Sequence, residues 1–271
     1  MFKTLAEKFK KHCLPITLPH IAVSEDDYAR YHVNYVWINE DAGAKDGVSC
    51  AVPLRYMDIA YENAIKYPQA QFTIWLDHAL FDPMTHFMMM SHGYLNAPSN
   101  VEFKNLRDIK AYAQCDVYDI EKPKNIWARV DLARLLVLQH QLSDENNKAD
   151  YQIYSDFDVP DVRLDCDRMF SIMHKHGLFV GETLKYNILE NGYLGFDKDQ
   201  GRDFLESRLL PRAINSAKAG LDGYKPLYKT LHSWMVDQGF WYFRGRVCAP
   251  RQEVMGYKVP DNPVYTDNKI N

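Results

Sequence analysis

The sequence predicts an α/β fold built on a central, mostly parallel sheet with added helices. Residues 31–38 are rich in aromatic and β-branched side chains, which is typical of a buried strand. From Pro53 onward, Leu54, Met57 and Tyr61 keep the helical period, and residues 72–76 form a second apolar run. A strand, a helix and a strand in this order predict parallel strands joined by a crossover helix, with ligands bound at the carboxyl ends of the strands.

Length and composition predict one large domain that spans residues 1–271. The chain has 271 residues, of which 46% are hydrophobic, and its net charge of -4 argues against nucleic acid as a partner. Its five cysteines are odd in number and include no Cys-x-x-Cys pair, so we expect a reducing compartment such as the cytoplasm. No apolar run approaches the roughly 20 residues of a transmembrane segment.

Residues 1–30 are predicted to form a helical N-terminal extension. Its apolar positions fall at helical spacing, with lysines around the polar side; they are Phe2, Leu5, Ala6, Phe9 and Cys13. Such a helix fits either weak peripheral contact with an anionic membrane or docking onto the rest of the protein, and its shortness favours docking.

The remaining pattern predicts further strands and helices. We expect a strand over residues 114–120, a helix over 126–138 that is apolar on most sides, and an exposed polar loop over 142–150. Short strands are expected over 178–181, 185–189 and 192–196, followed by a helix over 202–219.

Two acidic residues, Asp156 and Asp158, follow the short apolar run of residues 151–154. Residues two apart on a strand share a side, so both carboxylates should project together from the strand end. Such a pair can bind a hard divalent cation that keeps positions open for substrate phosphates. In a parallel sheet, Trp37 and Asp77 would lie at the same edge, because Trp37 is near the end of the first predicted strand and Asp77 directly follows the second.

The helix predicted before this strand carries charges among apolar residues. Arg129, Asp131 and Arg134 interrupt an otherwise apolar stretch, and unpaired buried charges are costly. Asp131 and Arg134 are three residues apart and share a face. They form either a structural ion pair or a polar site that binds sugar hydroxyls, and the spacing alone favours neither.

Four motifs in order resemble the DXD-motif glycosyltransferases that include the catalytic domains of large clostridial toxins and the initiation-specific mannosyltransferases. The motifs are Tyr35-Val-Trp37-Ile38, residues 67–77 ending in Trp75-Leu76-Asp77, Asp131-Leu-Ala-Arg134, and Tyr154-Ser-Asp156-Phe-Asp158. The resemblance implies a GT-A-like nucleotide-sugar-binding fold. Without the other three motifs, Trp37 would be interpreted as a core residue.

The resemblance also implies a role for individual residues. Trp37 would stack on the uracil of a UDP-sugar, and Tyr154 would line the donor pocket. Ile38 and Asp77 would be further donor-binding residues. Asn191, in the segment Glu190-Asn191-Gly192-Tyr193, would lie near the sugar and the acceptor. Asp131 and Arg134 would hold the donor sugar, Asp156 would lie near the ribose and a metal-bound water, and Asp158 would bind the metal. The segment His232-Ser233-Trp234 resembles the part that closes over the pyrophosphate, with His232 completing the metal site.

The predicted function is transfer of a hexose from a UDP-sugar to an acceptor hydroxyl of a protein or glycan, with Mn2+ or Mg2+ and with retention of anomeric configuration. We expect it in the cytoplasm, or in a host cytosol if the protein is a delivered effector. Two alternatives stay open: a phosphatase of the haloacid-dehalogenase type, which also uses an Asp-x-Asp motif, and a glycan- or nucleotide-binding module without catalysis.

Overall fold

The structure is a computed structural model that describes residues 21–38, 52–230 and 233, apart from residues 90, 92, 93, 122, 123, 160, 184–187, 222, 224 and 228. Most of the predicted N-terminal extension lies outside the described residues. Its last part, Glu25–Arg30, is a short 3-10 helix that leads into the first strand.

A six-stranded mixed sheet forms the centre of the protein. The strands are β1 (Tyr31–Trp37), β2 (Gln71–Leu76), β3 (Val101–Asn105), β4 (Tyr151–Ser155), β5 (Leu178–Thr183) and β6 (Ile188–Asp197), in the spatial order β3-β2-β1-β4-β6-β5. Strands β1 to β4 are parallel, whereas β6 runs antiparallel to both β4 and β5. The predicted α/β class with a mostly parallel sheet is therefore confirmed.

Helices cover both faces of this sheet. They are α1 (Leu54–Lys66), α2 (Pro83–Met88), α3 (Lys110–Ala113), α4 (Ile126–Ser143), α5 (Asp167–His176), α6 (Gln200–Phe204) and α7 (Leu210–Lys218), with a π-helical turn at Leu205–Leu209. Further 3-10 turns cover His78–Leu80, Tyr94–Asn96, Leu106–Asp108 and Asp116–Tyr118. The apolar residues of α1 and α5 share one core with one face of the sheet, and those of α4 and α7 share a second core with the other face.

The central strand β1 is buried almost throughout because helices cover both of its faces. Polar side chains on β1 therefore need partners inside the protein. His32 lies 2.7 Å from Thr73 Oγ1 through Nε2 and 3.1 Å from Asn147 Nδ2 through Nδ1. Burial lowers the pKa of His32 to about 3, so this imidazole is neutral at physiological pH.

The structure confirms the helix predicted from Leu54 onward and the helix predicted over 126–138, but it corrects other elements. The strand predicted over 114–120 is wrong: Asp116–Tyr118 is a 3-10 turn, and Cys115 N and Tyr118 N are satisfied locally by Tyr112 O and Cys115 O. The predicted loop over 142–150 is only partly exposed, because α4 continues to Ser143 and both Asn147 and Ala149 are buried.

The predicted strands over 185–189 and 192–196 belong to one strand, β6, from Ile188 onward; residues 184–187 lie outside the described part. Strand β3 and helix α5 were not predicted from the sequence. Within the described residues, no helix is long and apolar enough to cross a membrane.

Candidate active site

The carboxyl ends of the parallel strands meet at one edge of the sheet. Strand β1 ends at Trp37, β2 ends just before Asp77, and β4 ends just before Asp156. The register pairs Asn34 with Tyr154 in the parallel β1 and β4, so the residues that follow both strands emerge side by side. The backbone therefore places Trp37, Asp77 and the acidic pair at one edge, as the sequence predicts.

Helix α4 brings Asp131 and Arg134 to this edge. Both side chains are nearly buried, and Arg134 Nη2 lies 3.0 Å from Asp131 Oδ1. The same nitrogen lies 3.6 Å from Asp156 Oδ1, and Arg134 Nη1 donates to the backbone oxygen of Asn191 at 2.6 Å. One guanidinium group thus links the helix, the end of β4 and strand β6. Among the predicted site residues, Arg134 occupies the centre.

Asp131 accepts hydrogen bonds from two further elements. Asn191 Nδ2 donates to its Oδ1 at 2.9 Å, and the backbone amide of Gly223 donates to its Oδ2 at 2.8 Å. A Cβ at position 223 would lie 2.8 Å from the Cβ of Asp131, so the absence of a side chain allows this close approach. In this arrangement, Asp131 positions Arg134 and Asn191 and ties the segment after α7 to the site.

Asp156 is the more accessible acid of this network, with a side chain that is 29% exposed. The hydroxyl of Tyr154 donates to its Oδ1, and the ring of Tyr154 lies under the Arg134 guanidinium at 4.6 Å. Burial is the main cause that raises the pKa of Tyr154 well above its ordinary value; Arg134 opposes this shift and Asp156 adds to it. The phenol therefore stays protonated and can donate to the carboxylate.

Strand β6 approaches Asp156 closely from the other side. The amide of Asp156 donates to the backbone oxygen of Gly192 at 2.7 Å, and a Cβ at position 192 would lie 2.3 Å from Asp156 Oδ2. Gly192 therefore leaves the space that the carboxylate occupies. The sequence places Gly192 in the segment around Asn191 but does not indicate its close approach to Asp156. For Gly223, the Asp-Gly dipeptide at 222–223 is a turn signal that marks the second position.

Trp37 contacts the residue that lies between the two acids. Its ring is 6.0 Å from that of Phe157 in an edge-to-face arrangement and 6.1 Å from that of Tyr56, the third residue of α1. The indole is only partly buried, and its Nε1 has no hydrogen-bond partner within the described residues. Neighbouring Ile38 is buried in the core on the α4 side. Trp37 thus forms part of an aromatic cluster directly beside the Asp156–Asp158 segment.

Asp77 lies at the predicted edge of the sheet, but its carboxylate accepts hydrogen bonds from other side chains of the protein. It accepts from Arg107 Nε at 2.9 Å and Nη2 at 2.8 Å, and from the hydroxyl of Tyr112 at 2.8 Å. The backbone amide of Ala79 donates to it as well. These contacts give Asp77 a structural role that the sequence could not indicate, since Arg107 and Tyr112 are distant in the chain.

The acidic pair has the chemistry of a divalent-cation site. Carboxylate oxygens are the ligands that Mg2+ and Mn2+ prefer, and Asp158 Oδ1 is buried at the edge of the sheet. Among the described residues, no group of three or more His, Cys, Asp or Glu side chains is arranged to hold a metal ion. The predicted third ligand, His232, and its neighbour Trp234 lie outside the described residues, whereas Ser233 is exposed in a helical segment.

Comparison with known proteins finds likeness at the level of structure. No protein-family model and no curated protein matches the sequence. The PaToxG glycosyltransferase is 13% identical, with a TM-score of 0.46 over 88% of this chain and 80% of that one. The galactosyltransferase LgtC in complex with donor and acceptor sugar analogs is 12% identical, with a TM-score of 0.41 over 72% and 69%. Mouse xyloside xylosyltransferase 1 is 9% identical, with a TM-score of 0.44 over 79% and 84%.

Proposed function

We propose that this protein is a metal-dependent glycosyltransferase that moves a hexose from a UDP-sugar to an acceptor hydroxyl. One observation carries the proposal: Asp131, Arg134, Tyr154, Asp156 and Asn191 form one connected polar network at the carboxyl ends of β1 and β4. Trp37 lies beside it through Phe157. A nucleotide base, a diphosphate and a sugar need an aromatic surface, carboxylates that can bind a cation, and a set of polar side chains. Trp37, the Asp156 and Asp158 pair and the polar network are the residues that we propose for these roles.

The residues divide into three roles along such a donor. Trp37, whose indole is only partly buried, would stack on the uracil, with Ile38 beside it. Asp156 and Asp158 would hold Mn2+ or Mg2+ near the diphosphate, with His232 as a third ligand. Asp131, Arg134 and Asn191 would bind the hydroxyls of the sugar, and Ser233 and Trp234 would close over the pyrophosphate.

The chemistry follows from the charges that develop when the anomeric bond breaks. A divalent cation, when bound, would supply positive charge to the leaving diphosphate. Arg134 would hold the sugar in position for this step, because its contacts with Asp131, Asp156 and Asn191 fix the guanidinium group before the reaction begins. Preorganised groups of this kind typically contribute about 3 kcal/mol each to transition-state stabilisation. Retention requires no nucleophile from the protein if the acceptor attacks on the face of the leaving group.

The acceptor is a hydroxyl of a protein or of a glycan. A glycan acceptor would fit a biosynthetic enzyme of the cytoplasm, and a protein acceptor would fit an effector that acts in a host cytosol. We propose one catalytic domain over residues 1–271, with the N-terminal extension either docked on it or in weak contact with a membrane surface.

The test is a panel of nucleotide sugars screened for hydrolysis with Mn2+, with Mg2+ and with chelator. We expect metal-dependent release of UDP from at least one UDP-hexose, and loss of that release on the order of 100-fold or more in Asp158→Asn. The matched control is Asp150→Asn, which changes an exposed acid paired with Arg30 at the opposite end of the same strand. Activity in Asp158→Asn equal to that of the control would contradict the metal assignment.

The same assay separates the two alternatives. Hydrolysis of a simple phosphate ester without turnover of any nucleotide sugar would indicate a phosphatase. Binding of UDP without turnover under every metal condition would indicate a binding module. In either case, the proposed transfer reaction would be wrong.

A further inference from the structure

Helix α4 carries a buried cation that the proposed reaction does not use. Arg129, the fourth residue of α4, is only 4% exposed, and its Nε is buried with no hydrogen-bond partner. Within the described part of the chain, its guanidinium group forms no ion pair and no hydrogen bond. Arg107 and Arg134, the other arginines near this edge of the sheet, are each paired with an aspartate.

An unpaired guanidinium group in this position is energetically unfavourable. Removing a charge from water without a compensating partner costs several kcal/mol, and buried charges in proteins are accordingly paired or bound to a ligand. The five N–H donors of arginine match the oxygens of a phosphate or carboxylate. The burial of Arg129 therefore indicates an oxyanion partner.

Arg129 lies away from the network around Asp131. At about 100° per residue, its direction from the helix axis differs by about 160° from that of Asp131 and by about 140° from that of Arg134. It shares its face with apolar residues of the core that also contains Tyr112 and Tyr118, and these residues are Leu132, Ala133 and Leu136. The hydroxyl of Tyr118 donates to the backbone oxygen of Arg129 at 2.9 Å, which places this tyrosine beside it. The site of the proposed sugar donor lies on another face of the helix.

The N-terminal turn of α4 favours an anion at the same place. Side chains of a helix lean toward its N-terminus, so a long side chain at the fourth position extends back toward the first turn. That turn contains no acidic residue, and Asn125 caps the amide of Trp127. The positive end of the helix dipole and its free amides attract phosphate groups. Two apolar side chains nearby in the chain are exposed, Trp127 at 65% and Ile120 at 48%.

We propose that Arg129 and the first turn of α4 form a binding site for a phosphate group that is separate from the nucleotide-sugar site. The ligand is either free inorganic phosphate or a phosphate monoester carried by a second substrate. The proposal does not depend on the proposed function, because the contacts of Asp131 and Arg134 lie on another face of the helix.

The experiment compares thermal unfolding and calorimetric phosphate binding in the full-length protein and two variants at matched ionic strength. Arg129→Met removes the buried charge and keeps an apolar side chain of similar length. The matched control is Arg202→Met, which removes an exposed arginine paired with Glu206 on α6 and the turn that follows it. We expect phosphate to raise the Tm of the natural protein and of the control, and to leave Arg129→Met unchanged, with at least tenfold weaker binding.

Stability without phosphate distinguishes a ligand-binding role from a structural one. If Arg129 has a partner only when an external anion is bound, Arg129→Met should have the same Tm as the natural protein or a higher one, because an unfavourable buried charge has been removed. A lower Tm in this variant would show that the arginine is paired within the chain, and it would overturn the proposal. Equal phosphate-induced shifts in both variants would overturn it as well.

Further ligands identify the source of the phosphate. Glucose 6-phosphate that binds more tightly than inorganic phosphate, and only when Arg129 is present, would support a phosphorylated second substrate. Inorganic phosphate that binds at least as tightly would support a site for the free ion. Saturating UDP should leave phosphate binding intact, and competition between the two would show that Arg129 belongs to the donor site, contrary to the proposal.

Discussion

Gly192→Ala tests whether the position of Asp156 matters for turnover. In the structure, a Cβ at residue 192 would lie 2.3 Å from Asp156 Oδ2 and 3.1 Å from its Cγ. Real Cβ atoms essentially never approach other atoms closer than 3.0 Å, so the carboxylate must shift by roughly 0.7 Å or rotate away. Either change would loosen its contacts with Tyr154 and Arg134.

The expected effect is large on turnover and small on stability. Asp156 has a partly exposed carboxylate at the end of a short side chain, so it can move at a cost of about 1 kcal/mol or less. A misplacement of about 1 Å in a catalytic site can reduce the rate on the order of 100-fold, which corresponds to about 2.7 kcal/mol of activation free energy. We therefore expect nearly unchanged unfolding and a strongly reduced rate of UDP-sugar hydrolysis.

Gly195→Ala is the matched control, because it adds the same methyl group to the same strand. Its Cβ would lie 2.4 Å from an atom of the Phe179 ring in the core and not beside Asp156. Overpacking of this kind typically costs about 1 to 3 kcal/mol of stability. We expect the control to unfold more easily and to keep its turnover per folded molecule. Full activity in Gly192→Ala, measured on folded protein, would refute the role given to the Asp156 position.

Three further predictions follow from single contacts. Trp37→Ala should weaken UDP binding about 10- to 100-fold, since stacking on one base contributes roughly 1 to 3 kcal/mol; unchanged affinity by calorimetry would make Trp37 a core residue. Asp77→Asn should lower the free energy of unfolding by about 2 to 4 kcal/mol, because Arg107 and Tyr112 lose a buried partner. Its affinity for UDP should stay the same. A variant that is as stable as the natural protein but binds UDP weakly would contradict the structural role of Asp77. The pKa of His32 is about 3 in the folded protein against an ordinary 6.5, so the unfolded chain binds the proton more readily. The free energy of unfolding should therefore fall as pH drops from about 6.5 toward 3, by up to about 1.4 kcal/mol per pH unit. Urea unfolding of His32→Gln should show a shallower pH dependence than that of the natural protein, and identical slopes would contradict the buried neutral imidazole.

The sequence predicts the elements whose burial leaves a clear pattern. Strand β1 is covered on both faces and appears as a continuous aromatic and β-branched run. Helix α1 keeps its period from Leu54 and ends at Lys66, just before Pro68. Strand β3 was not predicted, because it is a short, half-exposed edge strand in which charged Glu102 and Lys104 alternate with apolar residues.

The wrong strand over 114–120 shows the limit of such patterns. Its residues have strand-like composition, and Val117 and Tyr118 are indeed buried. Their burial comes from packing in the core beside α4, while the backbone donors are satisfied within successive turns. A local pattern reports that a residue is buried but does not report which backbone geometry buries it.

The candidate site was predictable as residue types and an order along the chain, but not as a set of contacts. The parallel strands place Trp37 and Asp156 at one edge, which the β-α-β order already implied. The pairing of Asp77 with Arg107 and the bond from Gly223 to Asp131 join segments 30 and 92 residues apart. Such contacts depend on tertiary packing. The sequence alone therefore does not distinguish Asp77, which has a structural role, from the acids of the proposed donor site.

The most direct test of the proposed function is a crystal structure of the protein with UDP and Mn2+. We predict a uracil ring against the Trp37 indole, Mn2+ coordinated by Asp158 and the diphosphate, and Asp156 within reach of the ribose or of a metal-bound water. A well-ordered UDP molecule bound at any other surface, or Mn2+ bound without contact to either Asp156 or Asp158, would contradict the proposed donor site.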